Sequence, residues 1–124
     1  MLYTAQFRYP GSDRLDITVK SGRGGKGEPF LPILNDNQWG MVMDWKNGRI
    51  TDAQYTTLYM DILNKQTYAL DQLAVSATVG DIVLCCYCPP ATFCHRVLLA
   101  RHLADSYSVD YMGEIVFPNW IKRR

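Results

Sequence analysis

Residues 85–96, CCYCPPATFCHR, gather every cysteine of the chain with a histidine and an arginine. Thiolates are nucleophiles and soft metal ligands, an imidazole moves protons near neutral pH, and a guanidinium fork grips phosphate or carboxylate. If Cys85 to Cys88 are extended, alternation puts Cys86 and Cys88 on one face and Cys85 on the other. Only Cys86, Cys88, Cys94 and His95 can then converge. A structural zinc site usually draws paired ligands from two separate stretches, and these four come from one, so no metal is expected. Burial is the expected state of Cys85 and Cys86. At a helix start beside Arg96, Cys94 is expected to have a lowered pKa, which makes it one catalytic candidate and His95 the other. A phosphatase loop would need Cys-x5-Arg, whereas Arg96 lies eight positions after Cys88 and two after Cys94. Arg96 is the leading anion-binding residue, with a salt bridge to a carboxylate such as Asp16 as the alternative use of its charge.

The elements that must position these residues are legible on either side. Ile82, Val83 and Leu84 open an apolar run through Tyr87, the pattern of a central strand buried on both faces, over Asp81 to Cys88. Pro89 and Pro90 stop it, and Val97, Ala100, Leu103 and Ala104 then trace a helical stripe. A strand–loop–helix junction of this kind is where open α/β sheets take ligands, with the helix N–H groups after Phe93 favouring an anion. Upstream, Leu2 to Phe7 reads as a strand that should neighbour the central one, and Leu15, Ile17 and Val19 alternate with Asp16, Thr18 and Lys20 as a strand with one wet face. Trp39, Val42 and Met43 share one side of a helix that Asn47 and Gly48 end. Thr51 and Gln54 then form a capping box for a helix carrying Tyr55, Leu58, Tyr59, Ile62 and Leu63. A third helical stretch carries Tyr68, Ala69, Leu70, Leu73 and Ala74, and a last strand runs around Tyr111 to Phe117. The expected fold is a single α/β domain over residues 1–124: a mainly parallel, Rossmann-like sheet of about four strands flanked by helices.

Composition narrows the function. Thirteen Lys and Arg against twelve Asp and Glu give a formal net charge of +1, too little field to draw in duplex nucleic acid, so any anion site is local. No apolar run reaches the length of a membrane span, and the start lacks the pattern of a signal peptide; a cytoplasmic protein with free thiols is expected. Gly22, Gly24 and Gly27 satisfy G-x-G-x-x-G, but Glu28, Pro29 and Pro32 stand where a dinucleotide fingerprint needs a helix, and Gly27 is followed by Glu28, not by a Walker lysine. No cofactor is implied. Eight tyrosines and three tryptophans leave room for a homo-oligomer.

The stretch CYCPPATFCHRVLLA, with Cys88, Cys94, His95, Arg96 and Ala100, resembles the Cys-His-Arg signature of the DUF488-like proteins, in the short version found in phages and mobile elements. Tyr3 to Gly22, Phe30 to Trp39, Lys46 to Tyr59 and Tyr111 to Ile115 also resemble segments of those short versions. The resemblance implies a compact α/β fold whose site is assembled from the loop after the first strand, the Gly-rich loop and the Cys-His-Arg turn, without a settled activity. The glycine-dense stretch Gly22 to Gly27 departs from it. Together these readings lead to a phosphorylated, nucleotide-derived small molecule as ligand. Arg96, His95, Cys94 and Phe93 would hold its phosphate, Arg8, Arg14, Lys20 and Lys26 would neutralise it, and Tyr9 or Trp39 would stack a base. In a phage, such a protein could sequester a signalling nucleotide of host defence, in the host cytoplasm; a nucleotide-processing enzyme using Cys94 or His95, and a protein-interaction module, are the alternatives.

Overall fold

A computed structural model describes residues 1–18, 31, 33–34, 36–88 and 93–122. The order of elements is β1 (Leu2–Gln6), β2 (Arg14–Asp16), a 3-10 turn (Asp36–Gln38), α1 (Trp39–Lys46), α2 (Asp52–Asn64), α3 (Thr67–Val79), β3 (Ile82–Cys86), α4 (His95–Tyr107) and β4 (Tyr111–Ile115). The four strands form one all-parallel sheet in the order β2-β3-β1-β4. The apolar run at Ile82 is thus an interior strand, and Leu2 to Gln6 runs in register beside it from Leu2↔Ile82 to Gln6↔Cys86. Parallel neighbours need long crossovers: the three helices join β2 to its neighbour β3, and α4 carries the chain from β3 past β1 to β4.

The sheet has two unlike faces. Leu2, Leu84 and Cys86 pack into a large core with Val42, Tyr55, Tyr59, Leu63, Leu70, Leu73, Leu99 and Leu103, residues drawn from all four helices. Tyr3, Ala5, Val83, Cys85 and Ile115 face the other way and are covered, among the described residues, by Tyr9, Met112 and Trp120. The described architecture is therefore a two-layer α/β sandwich whose second face is closed by a loop and the C-terminal segment.

Local chemistry explains the element ends. In α2 the Thr51 hydroxyl accepts from the Gln54 N–H at 3.1 Å and the Gln54 side chain accepts from the Thr51 N–H at 2.8 Å, the expected capping box. Gly48 sits at φ 74°, a conformation that favours glycine, and lets the chain turn from α1 into α2.

Three expected patterns are corrected. In β2 the alternation predicted a wet face at Asp16 and Thr18, yet both are buried, because the Asp16 carboxylate accepts from the Thr18 N–H at 2.9 Å and its carbonyl accepts from the Leu31 N–H at 2.8 Å. The strand ends there; Val19 and Lys20, like the Gly-rich loop at 21–29, Pro89, Pro90 and the terminal Arg123 and Arg124, lie outside the described residues. In α2, Leu58 is exposed while Tyr55, Tyr59 and Leu63 form the buried line. In α4 the buried face is His95, Arg96, Leu99, Ala100 and Leu103, one step round from the expected stripe, and Val97 and Ala104 are only half-buried. The helix turns its two polar residues inward because the partners of both lie at the sheet end.

Candidate functional site

The carboxyl end of β3 and the start of α4 frame a cleft of about 110 Å³. Its floor is Cys86, Cys88, Cys94 and His95; its walls are Trp39, Val42, Trp45, Tyr55, Tyr87 and Phe93, with Thr18 and Lys46 also lining it. The walls come mainly from the α1–α2 hairpin. Trp45 packs 5.5 Å from Tyr55 and 5.4 Å from Phe93 between ring centroids, and its indole N–H donates to Asp52 at 2.7 Å, so the hairpin fixes its plane. Tyr87 stacks on Phe7 at 4.2 Å, which is how the chain following β1 reaches the cleft.

Arg96 organises the floor. Its side chain is fully buried, with Nε 3.2 Å and Nη2 2.6 Å from the two carboxylate oxygens of Glu114 on β4, a bidentate pair. The remaining nitrogen, Nη1, donates to the Cys88 carbonyl at 2.8 Å and approaches Cys86 Sγ at 3.1 Å and Cys94 Sγ at 3.6 Å. The charge is used internally: the fork expected to face an anion is closed by a carboxylate, and that carboxylate is Glu114, not Asp16. Burial explains why, since an unpaired guanidinium there would be too costly.

The sulfurs of Cys86, Cys88 and Cys94 lie within 4.8 Å of one another, and Cys86 Sγ is 2.9 Å from Cys94 Sγ. Cys88 lies past the end of the strand, so its turn, not strand alternation, brings it to Cys86, while Cys85 faces the opposite core as expected. Arg96 Nη1 lies nearer Cys86 than Cys94, so within the close sulfur pair negative charge is favoured on Cys86. Burial opposes charge on Cys86, but hydrogen bonds from Cys88 and Cys94, with His95 and Arg96 beside it, outweigh that and hold its thiol well below the usual value near 9. Cys94 goes the other way: its hydrogen-bond contacts with Cys86 and Cys88, and burial, push its thiol well above that value. This corrects the expectation of a lowered pKa at Cys94, because the positive charge is aimed first at Cys86. Cys88 is pushed up to about 11, chiefly by Cys86. Of the three sulfurs on the floor, Cys86 is therefore the one whose surroundings favour the thiolate. Three thiols could hold a soft cation, yet a guanidinium 3.1 Å from one of them competes with such an ion.

His95 is buried, and its Nε2 lies 3.1 Å from the Ile17 carbonyl. A carbonyl only accepts, so Nε2 carries a proton in this contact, and Nδ1 lies 3.9 Å from Cys94 Sγ.

The other expected ligand residues part company. Cys94, His95, Phe93 and Trp39 line the cleft. Arg8 and Tyr9 do not: the Arg8 guanidinium lies 4.6 Å over Phe117, and Tyr9 is buried against Trp120 on the far face, its hydroxyl donating to Asp13 at 2.8 Å. Arg14 is buried too, donating to the Tyr9 carbonyl and lying 4.9 Å over the Phe7 ring. Lys20 and Lys26 lie outside the described residues. Sequence reasoning missed Trp45, Tyr55, Lys46 and Glu114. Trp45 and Tyr55 flank the connection between α1 and α2, and Glu114 is a lone acid in the apolar strand YMGEI, which is a signal for a buried cationic partner.

No curated protein and no solved structure matches the chain. Residues 38–107, more than half of it and including the cleft walls from Trp39 to Tyr55 and the whole Cys-His-Arg turn, match DUF488-N3a, described as the active DUF488-N3 subclade. With that match lying over the α1–α2 hairpin, β3 and α4, the chain belongs to the DUF488 family, in its DUF488-N3a subclade.

Proposed function

We propose that the chain binds a nucleotide-derived small molecule, its base inserted in the aromatic cleft over the Cys86 thiolate and its phosphate outside, at the rim. The observation that carries this is the cleft itself: Trp39, Trp45, Tyr55, Tyr87 and Phe93 surround a space at the carboxyl end of a central parallel strand. Its 110 Å³ corresponds to roughly ten water positions, enough for one planar ring and too little for a whole dinucleotide. Lys46, exposed at the end of α1 with Nζ 5.9 Å from the Trp39 ring, takes over the anion role first expected of Arg96.

A second reading is favoured by one feature that binding alone does not require. A sulfur on the floor that Arg96 favours as thiolate, with a second sulfur 2.9 Å away and an imidazole nitrogen behind that one, is the equipment of a nucleophile, and the family description calls this subclade active. In this reading the chain processes the nucleotide, with Cys86 as attacking sulfur and Cys94 and His95 handling protons. In the first it sequesters the ligand, as a phage or mobile-element product acting on a signalling nucleotide would.

One experiment serves both. A panel of mononucleotides, cyclic nucleotides and ADP-ribose-type compounds is screened for a rise in melting temperature, since a ligand that binds only the folded chain stabilises it. At least one member should raise it, and Trp45→Ala should weaken that ligand by roughly five- to a hundredfold, the range of one lost stacking contact of ~1–3 kcal/mol. A panel with no stabilising member sinks the proposal. Intact ligand recovered from the complex supports sequestration; conversion that stops in Cys86→Ser while binding persists supports the enzyme.

A further inference from the structure

The close sulfur pair has chemistry of its own, independent of what occupies the cleft. Cys86 Sγ and Cys94 Sγ are 2.9 Å apart, nearer than two sulfurs in ordinary contact and about one ångström beyond a disulfide bond. The two residues belong to different elements, Cys86 ending β3 and Cys94 standing at the N-cap of α4, so a small approach of strand end and helix start closes the gap. Arg96 Nη1 lies 3.1 Å from Cys86 and 3.6 Å from Cys94, which marks Cys86 as the more anionic sulfur. Both line a cleft that a molecule the size of water can enter.

We propose that Cys86 and Cys94 form a peroxide-reactive dithiol that closes to an intrachain disulfide and removes the nucleophilic sulfur from the cleft floor. The Cys86 thiolate attacks one oxygen of hydrogen peroxide and the O–O bond breaks, leaving Cys86 as a sulfenic acid and releasing hydroxide, which takes a proton from solvent to become water. The Cys94 sulfur then attacks the Cys86 sulfur; the S–O bond breaks and the hydroxyl leaves with the Cys94 proton as a second water. Two thiols are oxidised and one peroxide is reduced to two waters. Cys88, within 4.8 Å of both sulfurs, competes for the sulfenic acid, while Cys85, on the other sheet face, does not.

The full chain, reduced and then treated with one equivalent of hydrogen peroxide, is denatured and alkylated with maleimide. Two of its four cysteines should be blocked in the monomer, against none before treatment. Chymotrypsin cuts after Tyr87 and Phe93 and so separates Cys85 and Cys86 from Cys88, and Cys88 from Cys94. The peptide ending at Tyr87 should be joined to the one beginning at Cys94. Cys85→Ala should keep that link and Cys86→Ser should lose it. A link through Cys88, a link between chains, a link that survives Cys86→Ser, or oxidation only to sulfinic acid overturns the proposal. The wild-type and Cys85→Ala maps decide the matter even if Cys86→Ser does not fold. None of these readouts depends on a nucleotide, so failure here is distinct from failure of the binding proposal.

Discussion

Arg96 carries the local electrostatics, and its two functions can be separated. Toward β4 it completes a bidentate pair with Glu114; toward the cleft it lies over the sulfurs. Arg96→Ala removes one partner of a buried pair and should cost ~3–5 kcal/mol in urea unfolding, and it should also raise the Cys86 pKa. Arg96→Lys keeps a positive charge near Cys86 but cannot fork onto Glu114. It should cost ~1–3 kcal/mol, the scale of one lost charge-assisted contact, and retain the ultraviolet thiolate band at neutral pH that Arg96→Ala loses. Equal thiolate bands in both variants would show that the sulfur hydrogen bonds, not the guanidinium, hold the charge.

At the scale of elements, the α1–α2 hairpin is what gives the cleft its walls, and the start of α2 is what places the hairpin. Thr51 and Gln54 satisfy two backbone N–H groups at the turn that carries the Trp45–Asp52 hydrogen bond. Thr51→Ala should lower stability by ~1 kcal/mol, the usual cost of a lost N-cap, seen as a shift of the urea midpoint with an unchanged slope. A much larger loss would mean that the cap also holds Trp45 in place, which the tryptophan fluorescence maximum would report. Helix α4 acts differently. Its inward His95 and Arg96 tie it to the Ile17 carbonyl and to Glu114, so this helix is positioned by polar contacts at its first turn as well as by Leu99 and Leu103.

For the whole molecule, the thiols make stability depend on pH with two opposing signs. The Cys86 value is lower folded than unfolded, so its contribution grows as pH rises from that lowered value and is complete above about 9. Cys85 is pushed up to about 12 by burial against an ordinary value of 9.0; its proton is kept by the fold and lost by the unfolded chain, so its contribution is complete below 9 and declines between 9 and 12. Tyr9, pushed up to about 12 by burial and by Asp13, adds to the decline above 10. Each retained proton removes ~1.4 kcal/mol per pH unit in that window. The urea midpoint should therefore rise up to about pH 9 and fall above it, and Cys85→Ala should flatten the fall; a midpoint that keeps rising to pH 11 would refute this balance.

The order of elements, the buried strand at Ile82, the capping box and the gathering of Cys86, Cys88 and Cys94 follow from the sequence, because each depends on periodicity or on residues a few positions apart, and the pairing of Leu2 with Ile82 follows from two apolar strands joined by a crossover. What the tertiary structure alone decided is who meets whom across the sheet. Glu114 reaches Arg96 from eighteen positions away, Trp45 and Tyr55 close over cysteines some forty positions downstream, and Tyr9 goes to the far face. The same limit reversed the roles of the two cysteines. A helix start beside an arginine marks Cys94 as the acidic thiol when only neighbours in sequence are considered. A thiolate settles where the through-space charge and the donors are strongest, and the fold brings the guanidinium nearer Cys86 than Cys94.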